Sequence, residues 1–434
     1  MQIETDGSSG KKVTGAACCF MGLAHILYLK QYIKGLLYAL LELLFIVAIP
    51  FFARKLFQLV TLPYNREQIM FPVFMLIDGI LVISVILIFI ALYVISVKSA
   101  KTSYTDYCRT GRLASQKASL WEVTNRAFPI TGLAPCLIML LVFVVAPLVF
   151  SICVAFTNFS GPSHAVANDV DWVGGSNFKE LLLGGSTWSK GFARIAIWTL
   201  VWAFFSTFTC YFGGLLVAVQ LKEIGVKIAG VFRFIFILPY AVPSVITMLV
   251  WKNMLNGTFG IVNRTLKTLG ILGADSIIPW LGNSTLAKVM CIVINLWAGF
   301  GYFMMLTMGT MTAIGNDLFE AAKIDGANNR QILHHITLPL VMYQTMPLII
   351  MSFMHNINNF GIIFFLTGGQ PAVADSTITR AGGTDILVTW IYNLTITLLK
   401  YNYASVIAVL IFAVLAPFAV YQFMNTKAYK EGEV

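Results

Sequence analysis

The chain has 434 residues, of which 58% are hydrophobic and only 11% are charged. A soluble globular protein carries about 25% charged residues, so this composition excludes an ordinary soluble domain. Although the formal charge of +10 suggests a nucleic-acid ligand, the Lys and Arg residues lie between apolar runs, where orientation signals of membrane proteins belong. The composition therefore predicts an all-α, polytopic transmembrane helical bundle that binds no nucleic acid.

Apolar runs of about 20 residues, enough to cross a ~30 Å hydrocarbon core, recur along the whole chain. An amphipathic stretch at 20–34 comes first and predicts a helix lying in the membrane interface. About eight spans follow, at 36–53, 74–97, 131–157, 195–220, 232–252, 287–312, 341–366 and 403–424.

We predict two parts in this chain. Residues 1–130 would form an accessory unit, with the interface helix, two spans and a cytoplasmic linker. Residues 131–434 would form a six-span core, with a cytoplasmic loop at 313–340.

The distribution of basic residues predicts the orientation of the spans. Lys and Arg are more numerous in the segments that face the cytoplasm if both termini are inside, which is the favoured arrangement for a bacterial plasma-membrane protein. The loops at 158–194, 253–286 and 367–402 would then face outside. The densest basic cluster falls inside and consists of Lys98, Lys101, Arg109, Arg112, Lys117 and Arg126.

Several kinds of chemistry have no matching motif. No G-x-x-x-x-G-K-[ST] sequence is present to hold a nucleotide phosphate, and the five His have no partners at metal-ligand spacing. Glu42 is the one carboxylate that we place clearly within a span. An ion-coupled sugar carrier or a membrane enzyme acting on lipid-linked sugars would need buried ionisable groups. We therefore expect no catalytic residue, metal or cofactor in this chain, and an energy source in a partner protein.

The loop at 313–340 contains the sequence EAAKIDGANNRQILHHITLP, which begins at Glu320. Asp317 and Glu320 predict a capping box that opens a short helix. Gly326 would end this helix, because Gly adopts the left-handed conformation at little cost.

A second short helix is expected directly after this turn. Asn328 or Asn329 can cap it, and Pro339 would restart the chain into the seventh span, since Pro is tolerated in a first helical turn. The prediction is a helix-turn-helix that protrudes from the membrane.

This segment resembles the EAA loop of the permease subunits of ATP-binding-cassette (ABC) importers. In that family the loop docks on a separate ATPase subunit, which uses the ATP. The resemblance implies that the coupling contacts here are made by Glu320, Ala321, Ala322, Asp325, Gly326, Ile336, Leu338 and Pro339.

The chain from about residue 131 to its end resembles the MalF-type maltose/maltodextrin permeases. The matching segments are LPYAVPS, NLWAGFGYFMML, NINNF, LTGGQP and TDILVTWIY. The loop after the third span is short, as in permeases of Gram-positive bacteria. The resemblance implies import of maltooligosaccharides together with a second, MalG-like permease, a cytoplasmic ATPase dimer and an extracellular sugar-binding protein. A permease for another oligosaccharide, of the galacto-oligosaccharide or raffinose type, is the alternative.

Three predicted spans carry stripes of amide, hydroxyl and ring side chains at helical spacing, which suit the hydroxyls and faces of a sugar. Hydrogen bonds between helices use the same residue types, and the residues alone do not decide between the two roles. The resemblance favours sugar contacts, with His355 standing where the family has an aromatic ring and Asn358 pointing elsewhere. The candidate substrate-binding residues are Tyr240, Ser244, Asn295, Gly299, Tyr302, His355, Asn356 and Asn359.

Overall fold

A computed structural model describes the fold over residues 7–63, 71–111, 128–161, 170–223 and 226–425. It divides into two compact units, Met1–Val173 and Gly174–Val434. Of the predicted basic cluster, Arg112, Lys117 and Arg126 lie outside the described residues. The division into residues 1–130 and 131–434 stays a prediction.

The first unit is mainly helical in its described part and contains one isolated antiparallel bridge, between Thr157 and Trp172. Its helices are α1 (Gly7–Cys19), α2 (Leu23–Leu27), α3 (Tyr32–Thr61), α4 (Pro72–Thr110), α5 (Phe128–Leu140) and α6 (Ala146–Ala155), with α5 and α6 joined by a π-helical turn, Leu141–Val145.

The stretch at 20–34 is not the single interface helix that its pattern predicts. Lys30 has a left-handed backbone, with φ of 53°, and Lys34 already belongs to α3. The two lysines therefore do not share a helical face. Amphipathic spacing alone missed the two breaks in this segment.

Acidic side chains within the first two spans have partners. Asp78 of α4 lies 2.7 Å from the Lys55 ammonium of α3, and the Glu42 carboxylate accepts a hydrogen bond from the backbone N–H of Met21. Asp78 also lies within a predicted span, at 74–97, although only Glu42 was expected there from the sequence. Both carboxylates serve contacts within the first unit, which leaves them a structural role.

The second unit contains the remaining helices. They are α7 (Ser176–Leu183), α8 (Thr187–Glu223), α9 (Val226–Ala241), α10 (Ser244–Met254), α11 (Ile261–Thr268), α12 (Ser284–Thr312), α13 (Asn316–Ile324), α14 (Asn329–Ile332), α15 (Leu338–Ile357), α16 (Phe360–Leu366), α17 (Ser376–Thr379), α18 (Leu387–Tyr392) and α19 (Tyr401–Met424).

Within the described residues, seven helices are long and apolar enough to cross a membrane, and a bent pair raises the number to eight. The predicted count of about eight spans is thereby confirmed. The bent pair is α9 and α10, which meet at 89°. Pro243 stands at this bend and lacks the N–H that would continue the helical ladder, whereas Pro239 lies inside α9 without ending it.

Close approach of α8, α9 and α12 positions the centre of the second unit. A Cβ added at Gly214 of α8 would lie 2.5 Å from the backbone nitrogen of Met304, and one at Gly301 would strike the carbonyl of Phe236. Small residues of this kind let membrane helices pack backbone to backbone. These contacts fix the rotation of α12 about its axis relative to α8 and α9.

Candidate functional site

A cavity of about 740 Å³ lies in the second unit, between α8, α9, α10, α12, α15 and α16. Its wall includes all the candidate substrate-binding residues named from the sequence. These are Tyr240, Ser244, Asn295, Gly299, Tyr302, His355, Asn356 and Asn359.

Two aromatic rings form an open part of the cavity wall. The rings of Tyr240 and Tyr302 have centroids 5.5 Å apart and are tilted by 32°. They remain 55% and 38% exposed, respectively. Exposed ring faces with a hydroxyl at one edge suit a ligand that is apolar on one side and polar on the other.

Asn356 is the most constrained polar residue of the cavity. Its side-chain amide nitrogen donates to the Thr207 hydroxyl at 2.9 Å, and its side-chain oxygen accepts from Asn359 at 3.3 Å. The indole of Trp202 donates to its backbone carbonyl at 3.1 Å. The amide is thus fixed in orientation, and its oxygen keeps acceptor capacity toward the cavity.

Asn295 and Gly299 lie one helical turn apart on α12 and both face Cys210 of α8. The Asn295 amide nitrogen is 3.4 Å from the Cys210 sulfur, an ordinary distance for sulfur, and 3.4 Å from the carbonyl oxygen of Ser206, which is long for an N–H···O bond. A Cβ at Gly299 would lie 2.9 Å from the same sulfur. Gly299 is therefore needed for helix packing. The Asn295 amide nitrogen already has two acceptors on α8, which leaves its side-chain oxygen as the group to offer a ligand.

Two of the three predicted helical faces do not exist as drawn. Tyr240 lies in the last turn of α9 and Ser244 is the first residue of α10, so the bend separates them. Helix α15 ends at Ile357, before Asn359. The residues nevertheless reach one cavity, because the chain bends around it. Asn358 lies outside the cavity and is exposed, so it does point away from the candidate residues.

Sequence reasoning missed Ser206 of α8. This side chain is fully buried, lines the cavity, and has a hydroxyl without a hydrogen-bond partner among the described residues. A buried hydroxyl without a partner is costly, which points to a ligand or water that completes it. Its sequence context, an aromatic run, carries no periodic signal that would have identified it.

The loop at 313–340 forms the expected helix-turn-helix, with a different cap. Helix α13 begins after Gly315 without a side-chain cap, so the predicted capping box of Asp317 and Glu320 is wrong. The chain does have a capping box at α14, where Asn328 and Gln331 exchange hydrogen bonds of 2.9 and 2.8 Å. The helix starts one residue before Asp317, which therefore lies in the first turn rather than at the cap.

The turn between α13 and α14 depends on Gly326, whose φ of 81° is in the left-handed region. Its N–H donates to the carbonyl of Lys323 at 3.1 Å. Sequence analysis predicted this turn correctly, since a left-handed helix end favours glycine.

Pro339 does not restart the chain, in contrast to the prediction. The helix is continuous over Asn329–Ile357 and contains a π-helical turn, Leu333–Thr337. This wider turn accommodates the proline, which has no N–H to donate to the regular α-helical hydrogen-bond ladder.

The candidate coupling residues form two groups on this loop. The first five are in or just after α13, a helix without buried side chains, and only Ala322 among them is half-buried. Ile336 and Leu338 are half-buried and Pro339 is exposed. The short helix α13 therefore presents an open surface. The first group consists of Glu320, Ala321, Ala322, Asp325 and Gly326.

The segments LTGGQP and TDILVTWIY meet in one hydrogen-bonded loop. The hydroxyls of Thr367 and Thr384 are 2.7 Å apart, and the buried Asp385 carboxylate accepts from the Gly382 N–H and the Thr389 hydroxyl at 2.7 Å each. Burial raises the pKa of Asp385, and these donors act against that shift. Over the residues that the structure describes, no three His, Cys, Asp or Glu side chains are arranged to hold a metal ion.

Comparison with known proteins supplies the context for the cavity and the loop. The sequence profile of a family described as "binding-protein-dependent transport system inner membrane component" matches residues 210–426. The galactooligosaccharides transport system permease protein GanP of Bacillus subtilis is 34% identical over 359 residues, which are 83% of this chain and 84% of that protein.

Two further relatives are named for maltodextrins. The maltodextrin transport system permease protein MdxF of Bacillus subtilis is 30% identical over 433 residues, 98% of each chain. The maltose/maltodextrin transport system permease protein MalF of Escherichia coli is 37% identical over 243 residues, 55% of this chain and 46% of that protein.

A solved structure shares the fold. It is a bacterial alginate ABC transporter in complex with an alginate pentasaccharide-bound periplasmic protein. One of its chains aligns with a TM-score of 0.55 and 20% identity, over 72% of this chain and 98% of that chain.

Proposed function

Since the chain belongs to the family of inner membrane components of binding-protein-dependent transport systems, we propose that it is a permease subunit of an ABC importer for maltooligosaccharides. The observation that carries this proposal is the cavity of about 740 Å³, in which the aromatic pair Tyr240 and Tyr302 faces polar groups of α12 and α15. Its size and lining suit a small oligosaccharide.

In this proposal aromatic and polar side chains contact different parts of the sugar. The rings of Tyr240 and Tyr302 contact the apolar face of a glucosyl unit, and Asn295, Asn356 and His355 bond its hydroxyls. None of these groups needs to change its charge, since the sugar is neutral. The chain holds and releases the sugar, and a separate ATPase supplies the energy.

The exposed helix α13 is the proposed contact with that ATPase. Helix α13 would bind in a cleft of the ATPase dimer. Closure of that dimer would then move the helices that line the cavity. Alternating access then follows if the ATPase binds the loop more tightly in one of the two states, inward-facing or outward-facing, than in the other. The further proposed partners are a MalG-like permease and an extracellular sugar-binding protein.

Maltodextrins are favoured over galactooligosaccharides because the MdxF resemblance covers 98% of both chains. GanP has the higher identity of the two Bacillus subtilis relatives, 34%, over 83% of this chain, and makes galactooligosaccharides the second candidate. Both sugar classes are neutral and fit the same polar and aromatic lining.

The decisive experiment measures uptake in a host that lacks its own systems for both sugars. The chain would be expressed with its neighbouring transport genes, and labelled maltotriose and galactotriose would be compared. Uptake of maltotriose that excess galactotriose does not inhibit is expected. Uptake of galactotriose alone would select the second candidate, and uptake of neither would refute a role in importing these sugars.

We further propose that both termini face the cytoplasm. Single cysteines replacing Thr102 on α4 and Ala374 in the loop after α16, both exposed positions, test this in a background without the native cysteines. An impermeant thiol reagent should label the cysteine at 374 on intact cells and the one at 102 only after lysis. The reverse pattern would invert the topology.

A further inference from the structure

A second cavity, of about 810 Å³, lies further along the same helices and against the loop at 313–340. On α8 it begins at Ala218, eight residues or about 12 Å beyond Cys210 of the first cavity. Its walls come from α8, α9, α12, α13 and α14. It therefore joins the helices of the first cavity to the helix-turn-helix.

The charge of this second cavity has a single sign. Lys222 of α8, Arg233 of α9 and Lys323 of α13 all line it, and no carboxylate is among its described lining residues. An anion bound in this cavity would be attracted by all three positive charges.

The contacts of these cations leave their charge uncompensated. The Lys222 ammonium lies 4.4 Å from the centre of the Phe319 ring, a cation–π contact that holds it against α13. The Nε of Arg233 is buried and has no hydrogen-bond partner among the described residues. A guanidinium donor of this kind is suited to an oxyanion.

The remaining lining specifies the class of anion. Asn316, Asn329 and Thr312 add neutral hydrogen-bonding groups, whereas Met308 and Met311 provide an apolar wall. The volume exceeds what a bare inorganic anion fills. A phosphate group that carries an organic moiety matches both the donors and the apolar wall.

We infer that this cavity binds a phosphate group, presented either by a soluble organic phosphate or by the headgroup of an anionic phospholipid. Both sources offer the same oxyanion, and basic pockets between membrane helices are suited to such headgroups. The bound anion bridges α8 and α9 to α13. It thereby ties the helix-turn-helix to the helices that line the first cavity.

The test compares the thermal stability of the full-length chain, purified with whatever partner subunits accompany it, in two settings. In detergent, glycerol 3-phosphate is added against sodium chloride of equal ionic strength. In nanodiscs, phosphatidylcholine is compared with a mixture that contains phosphatidylglycerol. Ligand at about ten times its Kd should raise the apparent Tm by about 1–2 °C.

The stabilisation should disappear in Arg233→Gln and in Lys222→Gln. It should persist in Lys190→Gln, an exposed lysine at the opposite end of α8 that serves as the matched control. A shift in detergent identifies the soluble phosphate, and one seen only in nanodiscs identifies the lipid.

Equal shifts in the wild type and all variants, or no shift in either setting, would overturn the inference. It would also be overturned if neither anion acts but the two variants lose a co-purifying ATPase, because acidic residues of that partner would then fill the cavity. Neither result would bear on the sugar proposal, which uptake measures separately.

Discussion

The first cavity and the loop at 313–340 belong to one unit, but they are built in opposite ways. The turn between α13 and α14 rests on contacts between residues at most five positions apart, such as Asn328 with Gln331 and Ala327 with Ala322. The cavity brings Tyr240, Tyr302 and Asn356 together from distant parts of the chain. A substitution in the loop should therefore change the backbone conformation of one turn. A substitution in the cavity should change contacts among several helices.

The largest effect is expected from Gly326→Pro. Proline fixes φ near −65° and has no N–H, so it can adopt neither the φ of 81° nor the hydrogen bond to Lys323. Sugar-stimulated ATP hydrolysis by the assembled transporter should be lost, although the chain still inserts into the membrane.

Gly270→Pro is the matched control for this change. Gly270 also has a left-handed φ, 70°, and its N–H donates to the carbonyl of Lys267 at 3.0 Å, but it lies in a different loop. Near-normal ATP hydrolysis in Gly326→Pro, or equal loss in both variants, would contradict the assignment of coupling to the α13–α14 turn.

Tyr302→Ala should have the largest effect among cavity variants. It removes the ring that lies beside Tyr240, at 5.5 Å between centroids, and leaves a gap in the cavity wall. We expect the apparent affinity for maltotriose to fall by about tenfold, which corresponds to about 1.4 kcal/mol.

Tyr302→Phe separates the ring of this residue from its hydroxyl and should retain most of the affinity. Uptake kinetics normalised to the amount of assembled transporter provide the measurement. Unchanged affinity in Tyr302→Ala would place the sugar away from this pair of rings.

Asn356→Ala should weaken binding by roughly two- to tenfold, because a lost neutral hydrogen bond costs about 0.5–1.5 kcal/mol. The variant also frees Thr207, so a structural effect must be distinguished. Thr207→Val breaks the same internal bond from a residue outside the cavity lining. If both variants lower the apparent affinity equally, Asn356 positions helices and does not contact sugar.

Ser206→Ala should have the smallest effect, about twofold on affinity, in keeping with the lower end of the range for one neutral hydrogen bond. The Ser206 hydroxyl has no partner among the described residues, so its removal should leave the stability of the sugar-free protein unchanged or slightly raised. Lower stability together with unchanged affinity would show that the hydroxyl has a purely internal role. A thermal scan with and without maltotriose measures both quantities.

The contrast between loop and cavity also explains what could be predicted from sequence. Gly326 was predictable because the left-handed conformation is a local property of one residue. The cap of α13 was not, since Asp317 and Glu320 fit the capping pattern while the helix begins one residue earlier.

In the cavity, helical periodicity correctly placed Asn295, Gly299 and Tyr302 on one continuous helix. It failed at Ser244 and Asn359, because breaks in the chain lie between them and their supposed neighbours. These residues reach the cavity through bends that depend on tertiary packing. Ser206 gave no signal at all, since burial without a partner is visible only in three dimensions.

The unbroken helix of Asn329–Ile357 has a mechanical consequence. It is 29 residues long, roughly 40 Å, with the loop at one end and His355 and Asn356 at the other. If this cavity binds the sugar, a tilt imposed at Asn329 would reach Asn356 through one continuous helix, without a relay of intermediate side chains. The π-helical turn near the loop end and Pro347 within α15 are the points at which this helix can bend.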